Sequence, residues 1–341
     1  MARLTALSGL NRKSAAIFLV EIHGKRILFD LGDGLEPGEH PDLSNIGKID
    51  AVFISHAHTD HAGSLNRLGE VGNPIAFASE RTFDFLPETH KPAHSRVIPE
   101  CGHFEYEGLS FQSGRCGHAP GGLWFHLETE HGGFIYTGDI SLESQGMVFD
   151  PLPSARTLLI DASYGDRDQS LNTQIKAIAQ QAANGAVLCC PAAGRGTDMA
   201  LAMAAHGYTV HTSQVIADEI MAATGHAFPV VKAETARPDQ VIIATESNGE
   251  AGLSAELLAR GGFRFIFSSH VPHGTPAHRL TEKGDAIWLP WNVHPRKRDI
   301  LKLADACGAE KVIPAFVNVD HAPELCAALE KRLRKTTETE I

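Results

Sequence analysis

The 341-residue sequence contains no apolar run close to the ~20 residues that a membrane-spanning helix needs. It also lacks a convincing leader. The apolar stretch 15–20, which follows Asn11, Arg12 and Lys13, is too short for the core of a signal peptide, and no cleavage site follows it. We therefore expect a cytoplasmic protein with no membrane segment.

Cysteine is scarce, with six residues spread over the chain, and no two of them form a Cys-x-x-Cys pair. Two are adjacent, Cys189 and Cys190. This distribution excludes a disulfide framework and gives no sign of a thiolate zinc site. We expect reduced and mostly buried thiols.

The sequence has fewer basic than acidic residues. It contains 30 Lys and Arg and 41 Asp and Glu, which gives a formal charge of −11. This balance argues against broad electrostatic attraction to nucleic acid. Bound divalent cations would offset part of the acidity in a metal site, so the charge weakens a nuclease hypothesis without excluding it. Histidine, the commonest zinc ligand, is plentiful at 19 residues.

The pattern of apolar residues divides the chain into three parts. The first, residues 1–165, is rich in short strands, whereas 166–285 alternates helices and strands in the manner of a separate α/β unit. The tail 286–341 begins with a strand, AIWLP, followed by a helix, a strand and the helix APELCAALEKRLRK. We predict an α/β protein whose first domain, 1–165, is interrupted by an inserted domain, 166–285, and completed by 286–341.

A dense group of potential metal ligands follows the apolar strand 49–55. It comprises His56, His58, Asp60 and His61. Imidazole and carboxylate bind zinc at ~2.0–2.2 Å, and two such ions ~3.5–4 Å apart can clamp the attacking and leaving oxygens of a displacement. The alternative is a polar turn with spare histidines, but the density of ligands at a strand end favours the metal site.

Two ions need more ligands than this segment supplies, and other strand ends offer them. His118 lies in the glycine-rich segment GRCGHAPGG, and Asp139 follows the apolar run of FIYTGD, where its carboxylate could bridge two cations. Asp30 ends RILFD and is predicted to orient a ligand histidine from outside the metal's ligand set. Taken singly, each of these three is more often an ordinary turn residue, but their shared placement after strands favours a site.

The segments FDLG, HAHTDHAG, GHAPGG and TGDI, in this order, resemble the first four motifs of the metallo-β-lactamase superfamily. The resemblance spans essentially the whole chain. It implies an αββα sandwich with metal ions at its edge, and a metal-dependent hydrolase that uses two Zn2+, with Mn2+ as an alternative. The expected ligands are then His56, His58, Asp60, His61, His118 and Asp139.

The segment IDASYGDR (160–167) resembles the opening of the β-CASP region of RNA- and DNA-processing nucleases, such as the mRNA 3′-end processing and RNase J families. Asp161 fills the acidic position of that motif. The stretches NGAVLCCPAAGRGTDMALAM and SSHVPHGTPAHRL are also similar to this branch. The resemblance implies that 166–285 is a short β-CASP-like α/β cap.

The resemblance also covers the tail, with one departure. His294 matches a later histidine that would protonate the leaving oxygen, with Asp161 holding its ring. The last motif of the branch is a His-Gly pair that supplies a ligand to the second metal, but here Phe316 and Val317 stand in its place. Either His321, five residues on, reaches the metal, or the second site lacks that ligand.

Our functional hypothesis is hydrolysis of phosphodiesters in single-stranded RNA or DNA by a metal-bound hydroxide. The catalytic residues would be Asp60, His294 and Asp161, and Arg195 and Arg279 would bind the substrate. The protein could act as a monomer or a homodimer. Two alternatives remain: a hydrolase of small esters, thioesters or lactones, which the negative charge favours, and a catalytically weakened scaffold subunit of a processing complex, which the change at Phe316 favours.

Overall fold

Short strands make up much of the structure, a computed structural model that describes residues 2–36 and 38–341. Within these residues there are eighteen strands: β1 Arg3–Ser8, β2 Ile17–Ile22, β3 Lys25–Phe29, β4 Ala51–Phe53, β5 Ile75–Ala78, β6 Ser95–Val97, β7 Gly102–Tyr106, β8 Leu109–Arg115, β9 Leu123–Leu127, β10 Phe134–Tyr136, β11 Thr157–Asp161, β12 Ala186–Cys189, β13 Val210–Thr212, β14 Val241–Ala244, β15 Phe265–Phe267, β16 Ile287–Trp288, β17 Lys311–Ala315 and β18 Glu338–Glu340.

The same residues form nine α-helices: α1 Thr59–Ala62, α2 Glu80–Phe85, α3 Leu171–Gln181, α4 Arg195–Ala205, α5 Gln214–Thr224, α6 Gly252–Arg260, α7 Pro276–Lys283, α8 Lys297–Ala306 and α9 Pro323–Leu329. Short 3-10 helices lie at Leu65–Val71, Glu88–His90, Val319–His321 and Glu330–Arg332. None of the described helices combines the length and the apolar composition needed to cross a bilayer.

The chain divides into two compact units. The first consists of Met1–Leu142, Val148–Asp168 and His294–Ile341, and the second of Glu143–Met147 and Gln169–Val293. The first unit contains two sheets, one of seven strands in the order β18-β1-β2-β3-β4-β5-β6 and one of six in the order β17-β11-β10-β9-β8-β7.

The two sheets of the first unit enclose an aromatic core. The ring of Phe53 stacks on Phe77 of its own sheet at 4.7 Å and on Phe111 of the other sheet at 4.6 Å between centroids. On its other face the seven-stranded sheet buries Leu28 and Val52 with the 3-10 helix Leu65–Val71. The six-stranded sheet likewise packs against α8 and α9. The order helix, sheet, sheet, helix confirms the predicted αββα sandwich.

The second unit is built on a parallel sheet of five strands in the order β13-β14-β12-β15-β16. Alternate residues of its central strand, β12, face opposite sides. Leu188 packs in a core with Ile175 of α3 and Met199 of α4, whereas Val187 packs in a core with Leu257 of α6. Helices therefore cover both faces, as parallel sheets require.

Two details of the tail were predicted wrongly. The strand within AIWLP, β16, pairs with β15 and belongs to the second unit, which continues to Val293 because Trp291 and Val293 are buried in its core. The predicted last helix ends at Leu329, because Glu330 has a left-handed backbone with φ 47°. The roles assigned to the two domains remain predictions.

Candidate metal centre

The predicted ligands lie at one edge of the first unit because the strands that precede them run in the same direction. Strands β3 and β4 are parallel neighbours, as are β10, β11 and β17. Their carboxyl ends are followed by Asp30, His56, Asp139 and Phe316, and β11 itself ends at Asp161. A sheet edge formed in this way gathers polar side chains that are far apart in the sequence.

Glycine allows two of these segments to approach each other closely. A side chain at Gly138, whose φ is +55°, would lie 2.6 Å from the Cβ of Ser55. A side chain at Gly122 would lie 2.4 Å from the buried Sγ of Cys116. The contact at Gly138 lets the segment that carries Asp139 approach the start of the HAHTDH segment, and the contact at Gly122 lets the loop that carries His118 close on itself.

Three histidines form one group of potential ligands. Nδ1 of His58 lies 3.0 Å from Nε2 of His56 and 3.2 Å from Nε2 of His118. Burial, followed by the charges of neighbouring imidazoles, lowers the pKa of His56 well below its ordinary value, and burial also lowers the pKa of His58. The rings of His56 and His58 are therefore neutral near pH 7, which is the form that binds a metal ion.

A second group of polar atoms lies next to the first. Nε2 of His61 is 3.2 Å from Oδ1 of Asp139 and 3.8 Å from Oδ2 of Asp60. Burial alone would lower the pKa of His61, but the carboxylates of Asp139 and Asp60 outweigh it and raise that pKa well above its ordinary value. The raised pKa thus reflects the negative charge that the two carboxylates place next to His61.

The ammonium of Lys13 lies between these carboxylates. Its Nζ is 3.0 Å from Oδ2 of Asp60 and 3.2 Å from Oδ2 of Asp139. Burial opposes ionisation of the acids, yet Lys13 and then His61 lower the pKa of Asp60 to about 2 and that of Asp139 well below its ordinary value. Both carboxylates are therefore ionised.

The orientation of His61 is fixed by a buried network around Asp30. Oδ2 of Asp30 accepts hydrogen bonds from the hydroxyls of Tyr136 at 2.5 Å and Ser55 at 2.7 Å, and it lies 2.7 Å from Nδ1 of His61. Oδ1 accepts a further bond from the backbone N–H of Ser55 at 2.6 Å. Because Nδ1 is engaged in this way, Nε2 is the nitrogen that faces the cluster.

The described side chains fit a divalent metal ion. Nε2 of His58, Nε2 of His61 and Oδ1 of Asp139 are buried yet have no hydrogen-bond partner among the described residues. The separation of 3.2 Å between the last two equals, within about 0.2 Å, the spacing of ligand atoms on a tetrahedral ion with bonds of ~2.0 Å. Ligand atoms of His56, His58 and His118 also lie within 4.8 Å of one another, so the three histidines offer a second set of donors. The cluster is therefore a divalent-metal site by its chemistry.

His294 lies at the margin of this cluster. Its Nδ1 is 2.8 Å from Oδ2 of the fully buried Asp161 and 3.6 Å from Oδ2 of Asp139. Its ring is stacked on that of His118 with 5.0 Å between centroids, and the ring of Tyr164 packs edge-on against it at 5.1 Å. Asp161 is itself held by the N–H and hydroxyl of Ser163, at 3.0 and 2.7 Å.

Three predicted site residues are not gathered into the cluster. His321 is exposed in the 3-10 helix Val319–His321, and no potential ligand group of the described residues includes it. Arg195 and Arg279 belong to the second unit, where Arg195 donates to Oγ of Ser269 at 2.7 Å and Arg279 donates to the carbonyl of Gly274. The functions predicted for these three residues remain predictions.

Sequence reasoning missed Lys13, Tyr136 and Ser55. In the sequence, Lys13 is only one of the residues that precede the apolar stretch 15–20, and a single lysine carries no motif. Tyr136 and Ser55 each immediately precede a recognised motif, so their proximity to TGD and HAHTDH was the signal that could have identified them.

The chain resembles known proteins in sequence and in fold. The family described as the metallo-beta-lactamase superfamily matches residues 10–190. A ribonuclease of Thermus thermophilus is 24% identical over 254 residues, which cover 64% of this chain and 59% of the relative. Ribonuclease J 2 of Streptococcus pyogenes is 26% identical over 161 residues, which cover 41% of this chain and 29% of the relative. The matches thus span less than two thirds of these relatives.

A solved structure also resembles the whole chain. It is the crystal structure of a protein of unknown function from Enterococcus faecalis, with a TM-score of 0.64 and 15% sequence identity. The similarity covers 99% of both chains. At this identity it concerns the fold alone.

Proposed function

The chain belongs to the metallo-beta-lactamase superfamily of metal-dependent hydrolases, and on this premise we propose that it is a nuclease that hydrolyses phosphodiesters in single-stranded RNA or DNA. The resemblance to the β-CASP branch agrees with relatives that are named as ribonucleases. The observation that carries the proposal is the pairing of Asp161 with His294 beside the metal ligands, because phosphodiester cleavage needs a proton for its leaving oxygen.

The geometry of this pair supports a role in proton transfer. Nδ1 of His294 faces Asp161, so Nε2 is the nitrogen that can deliver a proton to substrate. The carboxylate of Asp161, 2.8 Å from Nδ1, and Tyr164, packed against the ring, together hold the orientation of His294. The His294 side chain is 12% exposed, which leaves it accessible to a substrate while keeping most of the ring out of water.

We propose zinc as the metal ion, held by His56, His58 and His118, because a set of three imidazoles suits this ion. When bound, the ion would supply Lewis-acid polarisation of an attacking water and of a phosphoryl oxygen. The second zinc expected from the sequence would take Asp60, His61 and Asp139 as ligands, and it would have to displace the ammonium of Lys13. The cytoplasmic location and the homodimer expected from the sequence remain predictions.

The test is an assay of the zinc-loaded full chain against labelled single-stranded RNA, single-stranded DNA and duplex DNA, beside a generic ester and a lactone. We expect cleavage of a single-stranded nucleic acid. His118→Ala should abolish both zinc binding and cleavage. His294→Ala should retain its zinc but cleave ~10²–10⁴-fold more slowly, the usual contribution of a general acid.

The matched control is His103→Ala, which removes an exposed histidine of the first unit and should cleave like the wild type. Turnover of the ester or lactone alone would replace the nuclease proposal with the small-molecule hydrolase. Bound zinc with no turnover of any substrate would favour the scaffold subunit.

A further inference from the structure

A lysine side chain lies at the position where a second metal ion would bind. The Nζ of Lys13 is 3.0 Å from Asp60 and 3.2 Å from Asp139, both of which are expected ligands of that ion. The two carboxylates are almost completely buried, and the side chain of Lys13 is 31% exposed. A single ammonium therefore neutralises part of the charge that a divalent cation would otherwise have to neutralise.

A phenylalanine stands where the second ion would find its last ligand. Phe316 directly follows β17, is 1% exposed and has a left-handed backbone with φ 63°, which is unusual for a bulky residue. Its ring packs against His61 with 5.3 Å between centroids, and Nζ of Lys13 lies 4.8 Å from the centre of the same ring. The aromatic ring offers no ligand to a metal ion but does attract an ammonium through its π-face.

The segment between β1 and β2, which carries Lys13, is hydrogen-bonded to the backbones of both Phe316 and Asp60. The backbone N–H of Phe316 donates to the carbonyl of Gly9 at 2.7 Å. At the other end of the segment, the N–H of Ala16 donates to the carbonyl of Asp60 at 2.7 Å. The connection between β1 and β2 is thereby held across the cluster, and the ammonium is part of a fixed arrangement rather than the end of a free surface side chain.

We propose that the ammonium of Lys13 takes the place of the second metal ion, so that the centre binds one divalent cation, at His56, His58 and His118. Lys13 and Phe316 act together in this arrangement. Lys13 supplies positive charge to Asp60 and Asp139, and Phe316 removes a ligand and supports the ammonium. The inference deepens the proposed function, and it rests on that proposal only for the ion at the three histidines.

The test is the metal stoichiometry of the full chain, stripped with a chelator, reloaded with Zn2+ and measured by native and elemental mass spectrometry. Titration with Co2+, followed by visible absorbance, gives an independent count of the bound ions. We expect one ion per chain in the wild type. We expect two in the double variant Lys13→Ala, Phe316→His, which removes the ammonium and provides an imidazole.

Two single variants keep the test decisive if the double variant fails to fold. Lys13→Met keeps the length of the side chain but removes its charge, and it should bind a second Co2+ at least ~10-fold more tightly than the wild type does. Lys13→Arg keeps the charge and should still bind one ion. These two variants separate the effect of the charge from that of side-chain size.

The outcomes distinguish this inference from the proposed function. Two ions in the wild type would overturn the inference and leave the nuclease proposal standing. No ion in the wild type would overturn both. One ion in the wild type and no gain in Lys13→Met would show that the ammonium does not exclude the second cation, which also overturns the inference.

Discussion

Each unit of the protein buries an aspartate beside the end of a structural element, and the two side chains have opposite surroundings. Asp198 of the second unit lies in the first turn of α4 and accepts hydrogen bonds through Oδ1 from the N–H groups of Gln145 and Gly146, at 2.9 and 2.8 Å. Asp139 of the first unit has an Oδ1 with no hydrogen bond to any described residue, although His61 is 3.2 Å away.

The comparison shows that burial alone does not mark a functional carboxylate. Burial raises the pKa of Asp198, and its hydrogen bonds only partly offset the shift. At Asp139 the effect of burial is reversed by Lys13 and His61, and the pKa falls well below its ordinary value. The aspartate of the second unit fastens the segment 143–147, whereas that of the first is kept ionised with an oxygen directed at other potential ligands.

The comparison would be tested most strongly by Asp30→Asn, which weakens the orientation of His61 and also disturbs Ser55, whose Oγ lies 3.0 Å from Nδ1 of His56, a ligand of the proposed ion. If the cluster works as one metal centre, zinc affinity should fall, by up to ~100-fold, since residues that orient ligands typically contribute 10–100-fold. The measurement is a competition titration with a chromophoric chelator.

Tyr136→Phe is the matched control for this change. It removes one hydrogen bond to the same carboxylate but leaves the contact of 2.7 Å between Asp30 and His61. Its zinc affinity should stay close to that of the wild type. Equal zinc affinity in Asp30→Asn and the wild type would mean that the hydrogen-bond network around Asp30 does not orient a ligand of the bound ion.

Asp198→Ala tests whether the buried aspartate of the second unit has a purely structural role. It leaves two backbone N–H groups and the hydroxyl of Ser144 without their acceptor, so we expect the second unit to lose about 2 kcal/mol of unfolding free energy. Zinc content should not change. The measurement is urea unfolding alongside metal analysis, with the exposed Asp218→Ala as control; loss of zinc would contradict a purely structural role.

The smallest effect is expected at Asp150, a carboxylate of the first unit that belongs to none of the potential ligand groups of the described residues. Its two oxygens accept hydrogen bonds from Nε and Nη2 of Arg115 at 2.9 and 2.8 Å, and this hydrogen bonding lowers the pKa of Asp150. A lowered pKa contributes stability above the unfolded value of ~3.9, and the contribution is lost as the pH falls through the folded value.

We therefore expect Asp150→Asn to cost about 1 kcal/mol at pH 7, a modest figure because Arg115 is 42% exposed. The difference from the wild type should shrink below pH ~4. Urea unfolding of metal-free protein at the two pH values measures it. A difference that is constant with pH would show that the charge of Asp150 contributes nothing.

The αββα fold and the location of the cluster could be predicted because the residues that determine them lie next to each other in the sequence. The segment His56 to His61 follows a buried strand directly, and Asp30 and Asp139 also follow apolar runs, so placing the strands places the side chains. The relation between Asp161 and His294 depended on a resemblance, because 133 positions separate them and no pattern joins them.

Lys13 could not be predicted for a different reason. Lysine is mostly a surface residue, and one near a strand has no periodicity or spacing that indicates a buried neighbour. Its position follows from the folding of the segment between β1 and β2 over the cluster, which is a tertiary event. The unit boundary near Val293 was missed similarly, because the two-residue strand β16 gives no signal of which sheet it will join.

The interruption of the first unit also constrains the order in which the chain can fold. In the six-stranded sheet, β11 pairs with β17, although the whole of 169–293 lies between them in the sequence. During synthesis β11 emerges long before its partner, so its outer edge stays unpaired while the second unit is still being made. An open strand edge invites pairing with other chains. We therefore expect slow ribosomal passage through 169–293 to favour aggregation of nascent chains.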